Sequence, residues 1–378
     1  MMGQSMNDPH EGSRDAGGGV TPGGAAGIWR AFDASANRAG EALRVVEDVA
    51  RFVLDDVRLT SQAKDLRHDL AALLAHGSLQ ARVALRDAVA DVGAGLEAAA
   101  ALGRTSAADL VAANAARAAQ ALRSLEECAA VVAPGSAAGF SGIRYRLYTL
   151  ERAALAAARA RERLAGVNLC VLVDGRTDLP AFEWLVESLV EAGVRMFQIR
   201  DKSLGVPAVV ERVRRAIEIV RRRNPSDPAL VIVNDRVDVA AALGADGAHT
   251  GADDLPTPLV RRVLGPGPLL GRTAHDFDEA RAAAAEGADY LGIGPCFPSP
   301  TKSFGEFAAP AFLRTVTAEI GLPAFAIGGV TLERLETLAA VGIERVAVAS
   351  AVTGAADPAA AARAIMERLG ELSGAASG

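Results

Sequence analysis

Lysine is nearly missing from this chain. Of 40 basic residues, only Lys64, Lys202 and Lys302 are lysines. A background that uses arginine wherever either cation serves marks each remaining lysine as a candidate compact point charge. Aromatic residues are also scarce, at 4 %, so the cores must be built from Ala, Leu, Val and Ile. The three cysteines, Cys128, Cys170 and Cys296, are odd in number, scattered and without metal-ligand spacing. This excludes a disulfide framework and fits inert thiols in a reduced, cytoplasmic compartment. No apolar run reaches about 18 residues, so no membrane-spanning helix is expected. The N-terminus lacks the basic-then-apolar pattern of a secretory signal. A basic surplus is missing too: the net charge is −6 with both signs interspersed, which argues against nucleic acid as a partner. There is no GxxxxGK[ST] phosphate loop, and no evident Ser–His–Asp set or strand-borne Schiff-base lysine.

What is present is ample for two domains: 378 residues, half of them hydrophobic. Residues 1–27 are rich in Gly, Ser, Asp and Pro without periodicity and read as a disordered leader. Residues 28–165 are dominated by Ala, Leu, Arg and Glu at helical spacing and read as an all-helical domain. That domain carries an internal repeat. SANRAGEALRVVED (35–48) aligns with NAARAAQALRSLEE (114–127) at an offset of 79, and at the same offset Arg67 meets Arg146. Two copies of one helical unit are the simplest reading.

Residues 166–372 change grammar, and residues 373–378 read as a flexible tail. Eight short apolar runs alternate with helix-like stretches: NLCVLVD (168–174), MFQIRD (196–201), ALVIVND (229–235), GAHTG (247–251), LLGRTAH (269–275), YLGIG (290–294), AFAIGG (324–329) and RVAVAS (345–350). Eight strand–helix units in about 205 residues predict a (β/α)₈ TIM barrel. A doubly wound sheet would more often carry five or six strands and a GxGxxG turn after the first, which is missing here.

In such a barrel the active site lies at the C-terminal ends of the strands. The second run ends in QIRDK, where Gln198, Arg200 and Lys202 alternate and so share one side. An Arg and a Lys converging there suit a phosphate or diphosphate, or else a salt bridge at the barrel rim. Asp235 ends the third run, and Asp253 and Asp254 follow the fourth. Two carboxylates with phosphate oxygens and water make a Mg²⁺ site, although Asp253 and Asp254 equally suit the cap of the next helix. The fifth run offers Thr273 and His275, the latter read as a structural hydrogen-bonder. A Pro-rich loop, 294–302, carries hydroxyls and Lys302 and could close over a ligand. Gly328-Gly329 and Ala349-Ser350 end the last two runs, where backbone N–H groups commonly hold a phosphate. A diphosphate site beside a second phosphate site implies transfer chemistry with diphosphate leaving.

Residues 167–372 resemble thiamine-phosphate synthase in QIRDK, VNDRVDVAAALGADGAH, GRTAHDFDEA, GADYLGIGPCFPSPTK, and AIGG followed by VAVASA. The resemblance implies a cytoplasmic (β/α)₈ transferase that joins hydroxymethylpyrimidine diphosphate to a (carboxy)thiazole ethyl phosphate, releasing diphosphate. It implies that Gln198, Ile199, Arg200, Asp201, Lys202 and Asn234 hold the pyrimidine diphosphate, with Thr273 and Lys302. Asp235 and Asp254 would ligate one Mg²⁺. Ser299, Pro300, Thr301, Gly329, Ala349 and Ser350 would surround the thiazole phosphate. Arg200, Lys202 and Lys302 would be catalytic, stabilising the departing diphosphate. The sequence departs from the family in Ala252, where Gln is usual, and in Thr273 and Ser299, which keep a hydroxyl. A thiazole-isomerising relative, working without diphosphate or Mg²⁺, is the alternative.

The helical segment resembles the extension fused to some members of this family, in FDASANRAGEALRVVEDVARFVLDD, KDLRHDL and RDAVADVG. That resemblance implies phosphorylation of hydroxymethylpyrimidine phosphate, with ATP as a further ligand and a bifunctional chain. Its candidates are Asp33, Asn37, Arg38, Glu41, Arg44, Glu47, Arg67, His68 and Asp91, with Ser35 standing where Asn is usual. The alternative is a non-catalytic module that makes a homo-oligomer, its arginines paired at helical spacing: Arg44 with Glu41, Glu47 and Asp48, Arg123 with Glu126 and Glu127.

Overall fold

The computed structural model describes residues 22–85, 103–251, 253–298 and 307–376. Four long helices come first: α1 (Pro22–Phe52), α2 (Val57–Leu74), α3 (Ala107–Val132) and α4 (Ala137–Arg163). α1 packs on α2 and α3, and α3 on α4. The interface is built from small residues: Ala36, Ala39, Ala42 and Ala50 of α1, and Ala115, Ala118, Ala121 and Ala129 of α3, are all buried. Small side chains let the helix axes approach closely, so a core poor in aromatics still closes. Three aromatics gather at one spot, where Phe32 stacks edge-on with Trp29 at 5.5 Å and with Phe140 at 5.6 Å.

These contacts explain a correction. Residues 22–27 belong to α1 rather than to a leader. The helix packs through Trp29 and Phe32 about two to three turns further on.

Eight parallel strands follow: β1 (Leu169–Val173), β2 (Met196–Ile199), β3 (Leu230–Asn234), β4 (Gly247–Thr250), β5 (Leu269–Ala274), β6 (Tyr290–Ile293), β7 (Ala324–Ile327) and β8 (Arg345–Val348). They close into a barrel in sequence order, with β8 pairing back onto β1. The shell comprises α5 (Leu179–Glu191), α6 (Val206–Arg223), α7 (Val237–Leu243), α8 (Thr257–Leu264), α9 (Phe277–Glu286), α10 (Pro310–Glu319), α11 (Leu335–Ala339), α12 (Ser350–Thr353) and α13 (Pro358–Ala376). α13 runs through residues 373–376, which the sequence had assigned to a tail; Ile365 and Leu369 bury its inner face.

Side chains alternate between the two layers, as strand geometry requires. In β2, Met196 joins the interior cluster with Cys170, Ile232, Leu269, Tyr290 and Phe325. Phe197 and Ile199 face the other way, into the apolar layer beneath the helices. Burial pushes the thiols of Cys170 and Cys296 up to about 12, so both stay protonated and inert.

The helical domain attaches at the N-terminal ends of the strands. Arg163 lies 3.5 Å from Asp246, just before β4, and donates to the Gly267 carbonyl, just before β5. Asp56 caps α2 by accepting from Leu59 N and also accepts from Gly321 N, just before β7. No helix among the described residues is long and apolar enough to cross a membrane.

Candidate active site

At the opposite end, the C-terminal ends of the strands surround a cavity of about 850 Å³. Its lining includes Gln198, Arg200 and Lys202 from β2 and its exit, Asn234 and Asp235 from β3, and Asp254 from the loop after β4. It also includes Thr273 of β5, Gly328 and Gly329 after β7, and Ala349 and Ser350 after β8. These residues are far apart in sequence and meet because every strand of a parallel barrel ends on the same face.

Asp235 lies at the charged side of the cavity. It adopts a left-handed backbone, φ 58°, uncommon for a residue with a side chain. Its N–H donates to the His249 carbonyl at 2.8 Å. Burial and the facing Asp254 carboxylate raise its pKa, and Lys202, whose Nζ is 3.6 Å away, counters them. Asp254 does not cap α8; Pro256 occupies that position, without a side-chain bond. The Asp254 carboxylate accepts instead from Gly251 N at 2.7 Å, turning the loop so that it faces Asp235. Among the described residues no three His, Cys, Asp or Glu cluster to hold a metal ion. The two carboxylates form a pair of hard oxygen donors, the chemistry Mg²⁺ takes when substrate oxygens and water complete its shell.

On the neutral side, Gly328 and Gly329 both have positive φ, 92° and 63°. A turn that presents successive backbone N–H groups can form an anion-binding concavity. Arg334 reinforces the turn by donating to the carbonyls of Gly329 and Pro298, with its guanidinium over the Phe297 ring.

The side chains of two expected substrate residues are engaged elsewhere. Ile199 is buried beneath the helices, since it alternates with Gln198. Asp201 latches loops: its carboxylate accepts from Gly175 N at 2.9 Å, from Ser203 N and Oγ, and from Leu204 N. Burial opposes ionisation, but these donors outweigh it and lower the pKa to about 2. A carboxylate with a depressed folded pKa contributes stability that is present above its unfolded pKa, about 4. That contribution is lost as pH falls toward 2. Asp201→Asn should therefore be less stable than wild type at pH 6, with the gap in denaturant midpoint shrinking between pH 4 and pH 2.

His275 accepts the structural role expected of it, pairing with Glu279 at 3.0 Å. His249 was not singled out from the sequence. It is 5 % exposed, lines the cavity and contacts Thr273 and Tyr290. Burial, then the Arg272 charge, push its pKa down to about 4, so the ring is neutral. Arg334 was also missed; nothing in the sequence marked it apart from other helix arginines. Ser299, Pro300, Thr301, Lys302, Ala252 and Asp91 lie outside the described residues.

In the helical domain, Asp33 and Glu47 are 3 % and 5 % exposed. Asp33 faces Arg82 at 3.4 Å, and Glu47 binds Arg67 at 2.7 Å. Asn37, Arg38, Glu41, Arg44, Lys64 and His68 are exposed. Arg44 pairs with Asp48 at 3.2 Å, and Arg123 with Glu126 at 3.1 Å and with Glu127, as helical spacing predicts.

Comparison with known proteins agrees with both halves. A family model described as "Thiamine monophosphate synthase" matches residues 169–352, and one described as "ThiD2 family" matches residues 30–153. The thiamine-phosphate synthases of Rhodopirellula baltica, Prochlorococcus marinus and Gloeobacter violaceus are each 38 % identical to this chain, over 354, 347 and 342 residues. Each alignment covers 90 % of this chain and 93 %, 96 % and 97 % of the relative. Among solved structures, thiamine phosphate pyrophosphorylase from Pyrococcus furiosus is 29 % identical, with a TM-score of 0.48, covering 55 % of this chain and 97 % of its own. With both halves matched in one alignment, this chain belongs to the thiamine-phosphate synthase family of transferases.

Proposed function

We propose that the barrel joins a 4-amino-2-methyl-5-(diphosphooxymethyl)pyrimidine to a (carboxy)thiazole ethyl phosphate, with Mg²⁺ held by Asp235 and Asp254. The observation that carries this reading is one cavity with two anion-suited sides: Arg200, Lys202 and the carboxylate pair on one, and the Gly328–Gly329 and Ala349–Ser350 backbone on the other. The carboxylate pair and Lys202 favour the synthase over a thiazole isomerase, which has no diphosphate to hold.

Mg²⁺ supplies charge neutralisation for a diphosphate leaving group when bound. Arg200 and Lys202 hold the diphosphate oxygens and stabilise the charge that grows as the methylene C–O bond breaks and its electron pair leaves with the diphosphate. The aminopyrimidine bears the resulting cation. The thiazole nitrogen lone pair, oriented by its phosphate in the backbone nest, forms the new C–N bond. No proton leaves in that step, so the site needs no general base; a carboxylated thiazole would in addition release CO2 and take up a proton at the vacated carbon.

The helical domain is the proposed kinase for the preceding step, using ATP. The asymmetry of its repeat supports this. Glu47, which is buried, pairs with the half-buried Arg67, whereas their repeat mates Glu126 and Arg146 do not meet; Arg146 instead pairs with Asp69 at the surface. Asp33 corresponds to Ala112. One copy alone keeps buried acids.

One experiment separates the two halves. Full-length protein with pyrimidine diphosphate, thiazole phosphate and Mg²⁺ should yield thiamine phosphate and diphosphate without ATP. With pyrimidine monophosphate it should require ATP and release ADP. No product from the ready-made diphosphate would sink the barrel reading; no ADP in the second arm would leave the helical domain non-catalytic.

A further inference from the structure

Side chains from three adjacent strands form a hydrogen-bonded chain that ends at the cavity. The Tyr290 hydroxyl lies 3.2 Å from His249 Nδ1, and His249 Nε2 lies 2.9 Å from Thr273 Oγ1. Tyr290 is 2 % exposed, and its ring is held edge-on by Phe325 at 5.7 Å. β5, which runs between the strands that carry the two rings, and β6 itself are shaped around them. A Cβ on Gly271 would fall 2.2 Å from Tyr290 Cζ and 2.4 Å from His249 Nδ1, and one on Gly292 would fall 3.0 Å from His249 Cε1. Space that an Ala or Val would fill is given to the rings.

The direction of the chain follows from counting donors. A neutral imidazole carries one N–H and one bare nitrogen. Among the described residues the Tyr290 hydroxyl meets only His249. Were Nδ1 protonated, the tyrosine O–H would be a buried donor without an acceptor, the costly arrangement. Tyr290 therefore donates to Nδ1, Nε2 carries the hydrogen, and Nε2–H donates to Thr273 Oγ1. With that donation accepted, the threonine's own O–H is left to point into the cavity.

We infer that Tyr290 and His249 are positioning residues that fix Thr273 as a hydrogen-bond donor toward the substrate. The site thus selects an acceptor at this point, such as a diphosphate oxygen, and disfavours a donor such as an amine. That the acceptor belongs to a diphosphate rests on the synthase reading above; the polarity of the relay does not.

The test uses full-length protein labelled with ¹⁵N-histidine, with His249 assigned from the spectrum of His249→Gln. The expected signature is a bare Nδ1 and a protonated Nε2; the Nδ1–H tautomer overturns the inference. Kinetics supply a second arm. Tyr290→Phe should lower kcat/KM for the pyrimidine diphosphate about tenfold, the scale of one misdirected hydrogen bond. Thr273→Val should lose at least as much, and Thr273→Ser should restore it. Because the relay acts only through Thr273, Tyr290→Phe combined with Thr273→Val should cost no more than Thr273→Val alone, and additive losses refute the relay. A wild-type enzyme that made no thiamine phosphate would refute the synthase reading instead, and the tautomer measurement would still judge the relay.

Discussion

Asp235→Ala is expected to lower kcat/KM for thiamine phosphate formation by about a thousandfold and to remove its response to Mg²⁺, the scale of losing charge stabilisation on a leaving group. The position is well chosen for the test. Asp254 also holds the loop by accepting from Gly251 N, so its loss would mix a folding effect with a chemical one. Asp235 reaches Lys202 and Asp254 and, among the described residues, makes no comparable backbone latch through its side chain. Asp235→Asn is the control, since Asn tolerates the left-handed backbone at φ 58°. It should fold like wild type, by unchanged thermal unfolding, and be nearly as inactive as the alanine variant. Full turnover in either variant would remove the metal assignment.

Gly329→Val should raise KM for the thiazole phosphate at least a hundredfold. The left-handed backbone, φ 63°, costs a side-chain-bearing residue about 1–2 kcal/mol. The greater obstacle is contact: the new Cβ would sit 2.4 Å from the Pro298 carbonyl oxygen and 2.6 Å from that of Phe297, both backbone atoms that cannot rotate aside. The turn must open, and the backbone that lines this side of the cavity moves with it. Calorimetry with the pyrimidine diphosphate and Mg²⁺ should show near-normal binding, because Arg200, Lys202 and the carboxylates lie on the other side. Equal loss of both ligands would mean that the substitution damages the barrel as a whole.

The eight strands were legible in the sequence because each is a short apolar run bounded by helix-like stretches, and parallel strands buried on both faces must read that way. The site was legible wherever a polar residue ended such a run, as at Gln198, Asn234 and Thr273. What escaped depends on partners distant in sequence. Asp201 looked like part of QIRDK's charged face, yet Gly175, 26 residues earlier, claims its carboxylate. Asp254 suited a helix cap until Pro256 took that position. Tyr290 and His249 were not singled out, because nothing local tells a ring that fills space from one that directs a proton. The start of α1 at Pro22 escaped because its glycines argue for coil, and the ring that packs on Phe32, Phe140, comes over a hundred residues later.

The attachment of the helical domain at the N-terminal ends of the strands also governs how the two halves can share an intermediate. Asp33 lies 19 residues before Phe52 at the end of α1, about 28 Å at 1.5 Å per residue. The cavity opens beyond the far end of the barrel. A pyrimidine diphosphate made beside Asp33 and released to solvent would reach Arg200 by diffusion, on its own chain or on another. Flux between the two reactions would then follow the free concentration of the intermediate, and a competing enzyme in the same solution could intercept it.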